Sequence, residues 1–134
     1  MLRDVYSGRL NLHGAEHECT LIAANNYAYS LVGVLQRFEE AKALLRKVIP
    51  MARRVLGDTH CVTLNMRENY ARALYQDPGA TLDDVREAVT TLEDAERIAR
   101  RVFGGSNPVT TAVEQTLRGA RAWLRARETP SGSA

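Results

Sequence analysis

The stretch HECTLIAANNYAYSL, which starts at His17, returns as HCVTLNMRENYARAL at His60, 43 positions later. Seven positions coincide: His17/His60, Thr20/Thr63, Leu21/Leu64, Asn26/Asn69, Tyr27/Tyr70, Ala28/Ala71 and Leu31/Leu74. Self-similarity at a fixed period of roughly 20–50 residues is the signature of stacked supersecondary units, each too small to bury its own apolar face. A chain written this way is therefore expected to be a solenoid.

A second pair of segments follows the first. RFEEAKALLRKVIPMARRVLG is matched by VREAVTTLEDAERIARRVFG at a shift of 47. Apolar residues recur at intervals of three and four, as in Phe38, Ala41, Leu45, Val48, Ala52 and Val55, or Leu82, Val85, Val89, Leu92, Ala95 and Val102. That spacing predicts amphipathic helices and an all-α protein. Gly57 and Gly104 are expected to end the two long helices,. His60 and Asn107 stand where the next helices begin, Asn107 as N-cap and Pro108 as first helical residue,. Thr81 and Asp84 have capping-box spacing, so the second long helix is expected to start near Thr81,. The preceding DPGATLDD either enlarges the inter-helix loop or adds a turn to the helix. Pro50, inside the first long helix, is expected to kink it rather than break it,.

Gly14 precedes His17 as Gly57 precedes His60, so residues 2–13 take the place of the second half of a long helix. The expected domain spans 1–127: a partial repeat at 1–14, repeats at 17–57 and 60–104, and a half repeat or capping helix at 107–127. Residues 128–134 are expected to be a disordered tail,. The count is about six helices, two full repeats with half repeats at each end, beginning inside a repeat.

Helix pairs carrying N-Y-A-x-x-L, an aromatic before E-A (Phe38, Glu39, Glu40, Ala41), then R-R-V-[LF]-G, resemble tetratricopeptide repeats of the kinesin light chain type. The match runs over about residues 14–112. Ala28, Ala71, Ala41 and Ala88 fall at the family's close-contact positions. The resemblance implies a right-handed alpha-alpha superhelix whose short helices line a concave, peptide-binding surface. The chain departs from the pattern at Arg67, where an apolar residue is usual, at Arg118, where a small alanine is usual, and at Val85, in the place of Phe38.

On that implied surface stand Asn25, Asn26 and Tyr29 of the first short helix, and Asn65, Glu68, Asn69 and Arg72 of the second. Amides offer a donor and an acceptor, so Asn26 and Asn69 could hold a peptide backbone whatever its sequence. Arg72 could then select acidic partners through a forked contact. The competing reading makes these residues the wet side of an amphipathic helix.

Net charge is +2, too mild to mark a nucleic-acid or membrane protein,. Arg118, Arg121 and Arg125 nevertheless form a basic patch on the last helix, read first as a solvated face and second as a site for RNA or an acidic partner,. His17, His60, Cys19 and Cys61 lack metal-ligand spacing, so no metal is expected and the histidines are read as helix starts,. Without an export signal, the two cysteines are expected to be free thiols and the chain cytoplasmic,. No phosphate loop, nucleophile elbow or paired-carboxylate frame is present, so neither an enzyme nor a cofactor is expected,. The expectation is a non-catalytic module that binds a protein or peptide partner. The alternatives are a spacer that self-associates through apolar solenoid ends, and nucleic-acid binding through the C-terminal arginines.

Overall fold

The computed structural model describes residues 2–128. Six helices follow one another: α1 (Leu2–His13), α2 (Glu18–Gly33), α3 (Phe38–Val55), α4 (Cys61–Gln76), α5 (Leu82–Phe103) and α6 (Pro108–Glu128). No strand occurs among the described residues. Residues 129–134 of the expected tail lie outside them, whereas Glu128 still belongs to α6. Each helix packs on its neighbours in the chain, and α4 also lies beside both α2 and α6. The short helices thereby form one layer in a tetratricopeptide-like helical repeat.

The helix ends follow the repeat. Gly14, Gly57 and Gly104 all have φ between +84° and +97°, the left-handed region that L side chains avoid,. Three residues later the next helix is capped by a side chain. His17 Nδ1 accepts from the Cys19 N–H at 3.0 Å, His60 Nδ1 from Val62 at 3.1 Å, and Asn107 Oδ1 from Val109 at 2.9 Å. One repeat position thus does the same work with either an imidazole or an amide. His60→Asn should leave stability unchanged, while His60→Ala should cost about 1 kcal/mol in urea unfolding. Equal losses in both variants would show that the ring packs rather than caps.

Thr81 and Asp84 form the expected capping box, with reciprocal bonds of 3.0 and 3.1 Å. The backbone N–H of Thr81 that Asp84 accepts holds its carboxyl below the usual aspartate range. Between α4 and α5, Asp77 Oδ1 accepts from the Gly79 N–H and closes the turn. The larger second copy goes chiefly into the helix, since α5 has 22 residues and α3 has 18, a difference of about one turn,. α3 runs through Pro50 as a single element, without the break.

Packing uses small residues at the crossings. Ala28, Ala41, Ala71 and Ala88 are all fully buried. Leu64, Leu74, Val85, Leu92, Val113 and Leu117 join α4, α5 and α6, while Leu21, Leu45, Val48 and Met66 join α2, α3 and α4. Thr20 and Thr63, a matched pair, donate to the carbonyls of Arg9 and Ala52 in the preceding helix. Lys42 is buried yet paired, its Nζ 3.1 Å from Glu39 and 3.5 Å from Asp77. Burial pulls its ammonium down, but the two carboxylates outweigh that and hold it above the usual lysine range,.

Candidate functional site

At 3.6 residues per turn, Asn65, Glu68, Asn69 and Arg72 of α4 fall within an arc of about 100°. The structure turns this arc toward α2 and α6, the two neighbours in the short-helix layer, and the side chains on it reach across to them. The Arg72 guanidinium lies over the Tyr29 ring of α2, 5.4 Å from its centroid. The guanidinium also lies near Gly33, where an added Cβ would make ordinary contact with Arg72 Nη2 at 3.7 Å. Deeper between the helices, Asn69 Nδ2 donates to Asn25 Oδ1 at 2.9 Å. On the other flank, Thr116 Oγ1 of α6 donates to Glu68 Oε2 at 2.6 Å. Further along the same seam, α6 approaches closely enough that a Cβ at Gly119 would stand 2.9 Å from the Tyr75 hydroxyl.

Asn26 and Tyr29 are exposed, Tyr29 by 56%, and Asn25, Asn65, Glu68 and Arg72 are half-buried. Asn69 departs from the expectation. It is 2% exposed, its amide is committed to Asn25, and its Oδ1 has no partner among the described residues. The reason is lateral packing: Asn69 points at α2 instead of the open surface, so it ties two repeats together and is not free to hold a peptide. Arg72 keeps more freedom. A guanidinium placed over a ring in a cation–π contact still has N–H donors to offer, and among the described residues no carboxylate takes those of Arg72,.

The basic patch is partly neutralised. Arg118, Arg121 and Arg125 are all exposed, but Arg121 pairs with Glu93 of α5 at 3.0 Å. Counting by the repeat, Arg118 stands where α2 and α4 have buried Ala28 and Ala71, and Arg121 where they have Leu31 and Leu74. In α2 and α4 that face meets the following long helix; in α6 it carries charge. Trp123, also on α6, is 48% exposed.

One group escaped the sequence reading. Arg67, flagged only as a departure from the repeat, is 8% exposed and donates from Nη2 to Asp94 Oδ2 at 2.7 Å. Asp94 also pairs with Arg97. Nearby, the Tyr70 hydroxyl accepts from Arg46 Nε at 3.2 Å and donates to Glu87 at 3.0 Å. A signal for the pair existed in the repeat: the equivalents of Arg67 and Asp94 in the first copy are Ala24 and Lys47, so both positions change together.

Cys19 and Cys61 are free and exposed. Among the described residues no helix is long and apolar enough to cross a membrane, and no cluster of three metal-ligating side chains gathers.

Residues 20–60, which cover most of α2, all of α3 and the cap of α4, match a family model described as tetratricopeptide repeat. With six helices stacked as repeated pairs, that match supports a tetratricopeptide repeat protein. Searches of curated proteins and of solved structures returned no match.

Proposed function

We propose that the chain is a non-catalytic interaction module that takes an extended segment of a partner protein along the α2–α4–α6 face. Tetratricopeptide repeats generally mediate protein–protein interaction, and the kinesin light chain type of repeat is the one its N-Y-A-x-x-L segments resemble. The observation that carries the reading is the Tyr29–Arg72 stack beside exposed Asn26. Tyrosine and arginine are enriched at interface hot spots, because each offers broad contact area together with directed hydrogen bonds. Asn26, with Asn25, Asn65 and Glu68 at the margins, would bond the peptide backbone, and Arg72 would favour an acidic side chain. Asn69 would act behind them by fixing the distance between α2 and α4.

Selection from a random peptide-display library tests this directly. Selected peptides are expected to be enriched in Asp and Glu, and to bind at least tenfold more weakly to Tyr29→Ala and to Arg72→Glu. Binders that ignore both substitutions would move the interaction off this face.

A further inference from the structure

The side of α4 turned away from the Tyr29–Arg72 face floors a second concavity. Arg67 and Tyr70 form its base, Arg46, Ile49, Pro50 and Arg53 of α3 one wall, and Thr91 of α5 the other. Its volume is about 220 Å³. A water takes about 30 Å³ in the liquid, so the cleft has room for several waters or one small ligand.

Three arginines line this space and no acidic residue does. Their acid partners stand outside the lining: Asp58 accepts from Arg53 Nε at 2.7 Å, Asp94 from Arg67 Nη2, and Glu87 from the Tyr70 hydroxyl that Arg46 touches. Each contact uses one edge of its guanidinium and leaves other N–H groups over. Arg67 Nη1 is enclosed and has no acceptor among the described residues. A buried charged donor without an acceptor is costly, so the Arg67 guanidinium would gain by turning Nη1 toward an anion in the cleft that it floors,. Ile49 and the Pro50 ring form an apolar wall beside the arginines.

We propose that this cleft is an oxyanion site that takes phosphate or a phosphate monoester. Donors from three arginines around one cleft suit a group with three acceptor oxygens and nearly two negative charges better than a carboxylate with two oxygens,. Thr91 adds a hydroxyl from the facing helix. The site lies on the opposite side of α4 from the proposed peptide face, so the two can be filled independently.

The test is a thermal-shift and ¹H–¹⁵N NMR titration of the intact chain with inorganic phosphate, O-phosphoserine and acetate at constant ionic strength. Saturable stabilisation by phosphate or O-phosphoserine is expected, with shifts at the arginine Nε–H signals of Arg46, Arg53 and Arg67 and the Thr91 amide. A stronger response to phosphate than to O-phosphoserine would assign the free ion, and the reverse order the ester. Arg46→Gln and Arg53→Gln alter exposed side chains, so their fold can be verified by circular dichroism, and each should weaken binding about tenfold. Three results would overturn the proposal: no saturable response, an equal response to acetate, or undiminished binding in both folded variants.

Discussion

Replacing Asp94 by Ala should destabilise the fold by about 3 kcal/mol, the low end of the range for stripping one partner from a buried ion pair. The low end applies because the Asp94 side chain is a third exposed, whereas that of Arg67 is only 10% exposed. Loss of the carboxylate would take the acceptor from Arg67 Nη2, beside an enclosed Nη1 that already has none. Domains of this kind have roughly 5–15 kcal/mol in total, so the loss should be plain in a urea midpoint. Arg67→Met combined with Asp94→Leu should restore most of the stability, because an apolar pair of similar volume demands no desolvation of charge. If the double variant were as unstable as the sum of the singles, the charges would not be coupled.

The same pair sets an acid dependence. The hydrogen bond from Arg67 holds the Asp94 carboxyl below the ordinary aspartate value, against the opposing effect of burial. A carboxylate lowered on folding contributes stability that is fully present above its unfolded value, about 3.9. That contribution is lost as pH falls further, through the folded value. Stability should therefore drop more steeply below about pH 4 in the wild type than in the Arg67→Met/Asp94→Leu variant. Parallel pH profiles would remove the pair from the acid response.

Most of the fold was legible because a repeat states its rules twice. The glycines, the Thr81–Asp84 cap, Asn107–Pro108 and the stripes at three and four each specify a local geometry, and all agree on helix pairs. The site was less legible. A helical wheel places Asn69 with Asn65 and Arg72, but it cannot distinguish a face open to solvent from one pressed on a sideways neighbour, and Asn69 faces α2. Arg67 was unreadable for a related reason. Its partner Asp94 sits on another helix, 27 residues away, and only comparison of the two copies, Ala24 with Lys47 against Arg67 with Asp94, links the positions.

Ala71→Leu is expected to cost about 2–3 kcal/mol, the upper part of the range for inserting methylenes into a filled core. Ala71 is fully buried in the cluster that holds Val85, Ala88 and Leu92, where α4 meets α5. Small side chains at such a crossing let helix axes approach toward about 8 Å, the near limit for packed pairs. A leucine would have to push α5 away, and α5 also carries Asp94 and packs against α6, so the strain cannot be relieved locally. Ala28→Leu should act alike against α3, since Ala28 is buried with Leu45 and Val48. The control is built into the repeat. Arg118 occupies the same position in α6 but is exposed, so Arg118→Leu should change stability by less than about 0.5 kcal/mol,. A repeat position that tolerates a long side chain in α6 and rejects it in α2 and α4 is governed by the helix stacked against it, not by helix propensity, which leucine satisfies nearly as well as alanine. Chemical unfolding of the three variants separates these causes. Equal small effects at all three positions would mean that the helices do not cross where the alanines stand.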